Sequence, residues 1–128
     1  MPTGSRFVNK NTPTGAGTSA VFEKATERFI GYCGVVRAPG NDFDELIYVY
    51  HVHAWGKGYA TEMGHAMLTH VFANSTLDAI YATIDAENQP SQQVAQKLGM
   101  RFEKRLFEEG VTKAVDYYVI RRSEASMD

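Results

Sequence analysis

Two glycines flank a lysine in Trp55-Gly56-Lys57-Gly58-Tyr59-Ala60-Thr61-Glu62, directly after an apolar run and directly before a stretch of helical period. Glycine lets the main chain approach an oxyanion where a Cβ would hold it off, and it accepts the positive φ of a tight strand-to-helix turn. The free N–H groups of a helix start then favour a bound anion. The chemistry this spells is a cradle for pyrophosphate, although a plain turn is written with the same residues. It is not a loop for nucleoside triphosphate hydrolysis, because no second glycine followed by Lys-Ser or Lys-Thr stands at the required spacing. Gly15 to Ala20 has the form of a dinucleotide fingerprint, but no strand precedes it and no helical period follows, so it is set aside.

The remaining reactive side chains exclude more than they offer. His51 and His53 alternate along an extended segment and so share a face, but no carboxylate or cysteine cluster accompanies them, and His65 and His70 fall on a helix; no metal is expected. Cys33, the single cysteine, sits in Gly31-Tyr32-Cys33-Gly34-Val35 and reads as a small buried thiol inside a strand, without disulfide or catalytic work. A formal net charge of -2 argues against a general nucleic-acid binder, which needs a basic face. No window carries the uncharged apolar run of a membrane helix, and Met1 to Asn11 lacks the apolar core of a signal peptide, so no membrane partner is expected and the cytoplasm is the expected compartment.

Elements that position the cradle follow from periodicity. Residues 1–19 are polar and rich in Gly, Thr and Pro, and are expected to be a flexible leader. Ala20 to Lys24 and Arg28 to Arg37 read as a hairpin. Glu45 to Val52 is apolar on both faces, as a buried central strand requires. Ala60, Met63, Met67, Leu68, Val71 and Phe72 recur on one face of a helix expected over about residues 58–72. A second unit repeats the order, with a strand over Asp78 to Ile84 and then Asn88-Gln89-Pro90-Ser91 as a helix start: Asn caps, Pro takes the first turn, and Gly99 lies past the end. Arg101 to Phe107 and Ala114 to Ile120 alternate around a Glu108-Glu109-Gly110 turn, and residues 123–128 are expected to fray. The expected class is mixed α/β, a mostly antiparallel sheet with flanking helices in the order β-β-β-α-β-α-β-β, in one domain over residues 20–122.

The stretch Glu45 to Glu62 resembles motif A of the GNAT acetyltransferase superfamily, most closely its ribosomal-protein-alanine N-acetyltransferase-like branch. Trp55, Gly58 and Ala60 occupy the places of its Gln/Arg-x-x-Gly-x-Gly/Ala pattern, with Trp55 departing at the first. Asn88-Gln89-Pro90-Ser91 and Lys97-Leu98-Gly99-Met100 are similar to a second pair of family words, in the right order. The resemblance implies acetyl-CoA as co-substrate, no metal, and transfer of the acetyl group to a primary amine, with branch resemblance tilting toward a protein N-terminus. A catalytically impaired acetyl-CoA-binding module is the rival expectation.

In residues, the resemblance implies a pyrophosphate held by the main chain of Trp55, Gly56, Lys57, Gly58, Tyr59 and Ala60. Pantetheine would add to the strand through Tyr50, His51 and Val52, and Asn88 and Ser91 would touch the coenzyme besides capping their helix. A strand N–H near Tyr48 to Tyr50 would polarise the thioester carbonyl. Glu45 matches a position where some members carry a catalytic glutamate; its bland reading is a solvated charge at a strand start, and His51 and His53 are reserve bases. The tyrosine that many relatives carry after the Asn-x-x-Ser word has no counterpart in Val94-Ala95-Gln96, which leaves the general acid unassigned. Relatives also begin with a strand and two helices before the hairpin; only the polar leader precedes it here, so an exposed sheet edge and a homodimer are expected.

Overall fold

In a computed structural model the described residues are 5–8, 17–37, 40–107 and 113–125. The turn expected at 108–110, most of the leader and the end of the tail lie outside them. One sheet of seven strands carries two helices. The chain runs β1 (Ser5–Val8), β2 (Gly17–Glu23), β3 (Phe29–Val36), β4 (Glu45–Tyr50), a 3-10 turn at Val52–Ala54, α1 (Tyr59–Asn74), β5 (Ala79–Asp85), α2 (Gln89–Lys97), β6 (Arg101–Phe107) and β7 (Ala114–Arg121). The spatial order is β1-β2-β3-β4-β5-β7-β6, antiparallel at every junction except β4 to β5.

The mixed α/β class and the order of elements from β2 onward agree with the sequence reading. The addition is β1, inside the stretch expected to be leader, which pairs Ser5 with Glu23 and Val8 with Ala20 and so takes the edge of β2. A four-residue strand whose two apolar residues, Phe7 and Val8, are adjacent has no alternating signal; its place is decided by the backbone groups that β2 offers.

Strand alternation gives the sheet a covered and an open face. Cys33 and Val35 of β3, Leu46 and Tyr48 of β4, Ile80, Ala82 and Ile84 of β5, and Tyr118 and Ile120 of β7 turn toward the helices. Against them α1 packs Met63, Met67, Leu68, Val71 and Phe72, the stripe expected from spacing. Ala60, also on that stripe, instead lines a cleft at the helix start. Cys33 is fully buried beside the Met63 carbonyl, and burial pushes its thiol up to about 12, the inert state expected for it. No helix among the described residues is long and apolar enough to cross a membrane.

A polar knot ties α2 to the sheet. Gln92 is buried and donates to the Asp116 carboxylate at 3.0 Å, while the Tyr118 hydroxyl donates to the Gln92 carbonyl. Arg105 closes the knot with two bonds to Asp116, of 2.6 and 3.1 Å. The Arg105 guanidinium, and next the Gln92 amide, hold the Asp116 carboxyl below its ordinary value against the opposing effect of burial. A carboxyl whose folded pKa is depressed stabilises the protein above its unfolded pKa, about 3.9, and ceases to do so as pH falls through the lower folded value. Urea midpoints of the wild type are therefore expected to fall between about pH 5 and pH 3, and Asp116→Asn is expected to flatten that fall while lowering the midpoint at pH 7. An unchanged acid limb in the variant would show that another carboxylate governs it.

Candidate functional site

Strands β4 and β5 are neighbours, yet only Glu45 and Tyr81 are in register, tied by the Tyr81 N–H donating to the Asp44 carbonyl at 2.8 Å. Beyond that pair the strands part. The Asp44 carbonyl faces β5, whereas the His51 N–H faces β3, donating to Ile30 at 2.9 Å. By alternation the peptide groups of Leu46, Tyr48 and Tyr50 face the gap. A gap between parallel strands, lined by main-chain donors and acceptors without a partner strand, is a receptor for an extended chain.

The gap opens into a cleft of about 660 Å³ lined by residues of three elements. β4 supplies Tyr48, Val49 and Tyr50; the loop and start of α1 supply Ala54, Trp55, Gly56, Gly58, Tyr59, Ala60 and Thr61; the start of α2 supplies Asn88, Pro90, Ser91, Gln93, Val94 and Lys97. Two helix N-termini thus point at one cavity. Gly58 is the N-cap of α1 at φ 83°, and a Cβ built there meets nothing within 4 Å, so the cradle is open where a phosphate would approach. Asn88 caps α2 by accepting from the Ser91 N–H at 3.2 Å, the capping role expected of it.

Several contacts that hold the site join residues distant in sequence. The Trp55 indole N–H donates to the Tyr50 carbonyl at 3.0 Å, pinning the loop to the strand end, although the ring is 66% exposed. The Tyr59 hydroxyl donates to Glu23 of β2 at 2.6 Å, and the Lys57 ammonium lies 3.5 Å from the same carboxylate. Tyr59 first, then the Thr26 hydroxyl and Lys57, draw the Glu23 carboxyl down, and Glu23 pushes the Tyr59 phenol up. Glu23 was not singled out in the sequence, and Tyr48 only for its main-chain N–H; a helix-start tyrosine reaching back to a hairpin leaves no spacing signal.

Of the residues expected to hold coenzyme, Tyr50, Trp55, Gly56, Gly58, Tyr59, Ala60, Asn88 and Ser91 line the cleft. Lys57 sits in the loop but is engaged by Glu23. Val52 begins the 3-10 turn, its carbonyl taken by the Trp55 N–H at 3.1 Å, and is 69% exposed outside the cleft lining. His51 and His53 stack on each other with centroids 5.4 Å apart, exposed, and His51 meets Phe29 edge-on. Glu45 is half-buried on the open face, accepting from the Thr83 hydroxyl, at the point where the strands still touch. Among the described residues no three His, Cys, Asp or Glu side chains gather as a metal site.

Comparison with known proteins gives the arrangement a family. Residues 3–101 match the family model described as an acetyltransferase (GNAT) domain. The chain is 35% identical over 97 residues to the uncharacterized N-acetyltransferase YnaD of Bacillus subtilis, a match covering 76% of this chain and 57% of that protein. It is 30% identical to a GNAT-family acetyltransferase structure from Bacillus anthracis, with a TM-score of 0.75 over 86% of this chain and 69% of that one. The fold also matches spermidine N-acetyltransferase from Vibrio cholerae, solved in complex with CoA and spermine, at 21% identity and a TM-score of 0.71 over 84% and 66% of the two chains. The chain spans little more than half the length of the first of these relatives. With the family model matched over most of the sequence, and with a split sheet and a glycine cradle at the matched positions, this chain belongs to the GNAT acetyltransferase family.

Proposed function

We propose that this chain binds acetyl-CoA in the cleft and moves the acetyl group to a primary amine by direct attack of the amine on the thioester. The observation that carries the reading is the parting of β4 from β5 beside two convergent helix starts. The N-terminus of α1, with Gly56 and Gly58 exposed at its mouth, suits the coenzyme's pyrophosphate. Pantetheine would lie along β4 as an added strand, on the peptide groups of Tyr48 and Tyr50; the Tyr50 carbonyl already accepts from Trp55, which leaves its N–H and both groups of Tyr48. Either N–H would meet the thioester oxygen and stabilise its developing negative charge. Resemblance to the ribosomal-protein-alanine branch tilts the proposed acceptor toward a protein N-terminus, and the cytoplasm is the proposed compartment.

Glu45 is the proposed base, acting on an amine that approaches over the open face; its strand position next to the parting point supports this, and its bond from Thr83 would fix the carboxylate. The rival reading, a coenzyme-binding module without turnover, is favoured by the placing of Glu45 outside the cleft lining. Thiol release from acetyl-CoA, followed with alanyl peptides and spermine as acceptors, separates the two. Glu45→Gln is expected to lower kcat/KM by about 100-fold or more near pH 7, with acetyl-CoA affinity unchanged by calorimetry. Turnover equal to wild type would remove Glu45 from the chemistry, and no turnover by a wild type that binds acetyl-CoA would leave only the module.

A further inference from the structure

The direct-attack reaction ends with a thiolate, and the helix segment that supplies a tyrosine in many relatives carries Val94, Ala95 and Gln96 in this chain. The fold brings another phenol to the cavity. Tyr48 lies on β4 at the parting of the strands, with its peptide groups facing the gap and its side chain on the helix-covered face, where it lines the same cleft as Ser91. Its register partner Cys33 is fully buried, which fixes the strand beneath it.

From this geometry we infer that Tyr48 is the proton donor to the leaving sulfur, with Ser91 as its positioning partner. The inference rests on the acetyl-CoA reading above. Main-chain binding at Tyr48 and Tyr50 puts the thioester beside β4, within reach of a side chain that leaves the strand at the same residue. Ser91 is in the first turn of α2, where the helix start favours negative charge on a neighbouring phenol oxygen. Burial raises the Tyr48 phenol, against a smaller opposite effect of Ser91, which lines the same cleft. The group therefore stays protonated at neutral pH, and the charge it acquires on giving up its proton forms beside the start of α2.

The step balances without a further reactant. The amine lone pair forms the C–N bond to the acetyl carbon, the C–S bond breaks with its electron pair on sulfur, and the sulfur takes the Tyr48 hydroxyl proton. The proton that leaves the acceptor nitrogen passes to base and solvent, and the Tyr48 phenolate regains one from solvent. One amine and one thioester become one amide and one thiol.

The product complex gives a test that needs no acceptor. A phenol placed to donate to the sulfur stabilises the thiolate of bound CoA, so the thiol should ionise more readily on the wild type than on Tyr48→Phe, by about tenfold in ionisation constant. Ultraviolet absorbance of the thiolate, titrated with pH at saturating CoA, reads this directly. Ser91→Ala should show a smaller shift in the same direction, and it serves if Tyr48→Phe fails to fold. With alanyl peptide or spermine as acceptor, Tyr48→Phe should lose kcat by about 100-fold with little change in acetyl-CoA affinity. Equal thiol ionisation in wild type and folded variants would overturn the role of Tyr48 and leave the acetyl-CoA reading standing. Absence of CoA binding to the folded wild type would overturn both.

Discussion

Replacing Gly58 with tryptophan is expected to abolish acetyl-CoA binding while the protein stays folded. The residue is the N-cap of α1 at φ 83°, with open space where a Cβ would project. That space is the approach to the first N–H groups of the helix, so a large side chain occupies the volume a pyrophosphate needs. Two effects must be kept apart. Any L side chain at this φ costs about 1–2 kcal/mol of backbone strain, which Gly58→Ala reports alone. Occlusion belongs only to the indole. Isothermal titration with acetyl-CoA should give a wild-type affinity in the micromolar range typical of such substrates. The alanine variant should weaken modestly, and the tryptophan variant should lose at least about 100-fold, equivalent to about 2.7 kcal/mol. Undiminished binding by Gly58→Trp would mean that the coenzyme does not use the α1 cradle.

The largest effect on stability is expected from Gly31→Ala. Gly31 is at φ 154° in β3, and a Cβ there would lie 2.0 Å from the Val49 carbonyl oxygen and 2.8 Å from the Tyr50 Cα. Both are main-chain atoms of β4, which cannot swing aside as a side-chain tip can. The junction of β3 and β4 must therefore open, at a cost of about 3 kcal/mol or more. With a urea slope of about 1–3 kcal/mol/M the midpoint should fall by about 1 M or more. The same shift moves Tyr50, whose carbonyl anchors the Trp55 indole, so acetyl-CoA affinity should fall even in the fraction that folds. Gly64→Ala is the informative contrast, because its Cβ would meet only the Leu98 side chain, at 2.9 Å. It should cost less, as Leu98 can rotate. A Gly31→Ala protein as stable as Gly64→Ala would refute the close approach of β3 to β4.

Local chemistry carried much of this protein openly. The glycines around Lys57, the stripe from Met63 to Phe72 and the Asn88-Gln89-Pro90-Ser91 cap each depend on backbone conformation within a few residues. Their types and spacing therefore announce a cradle, a buried helix face and a helix start before any tertiary contact is known. Cys33 could be read as an inert buried thiol because small apolar residues surround it in one strand.

What only the tertiary structure decided depends on which strands lie side by side and where they separate. That β4 leaves β5 after Glu45 follows from sheet order and twist, and it alone turns a buried strand into one with free peptide groups facing a cleft. Alternation along β4 leaves Glu45 on the open face rather than in the cleft, and the packing of α2 beside β4 sets Tyr48 and Ser91 on one cavity. Gln92, Asp116 and Tyr118 form one knot because α2 crosses the sheet above β7, and Glu23 holds Tyr59 and Lys57 because β2 ends near the start of α1. Contacts of this kind join residues far apart in the chain, so no periodicity records them. The sequence by itself therefore determined the parts that need only their own neighbours, and the tertiary structure decided which parts meet.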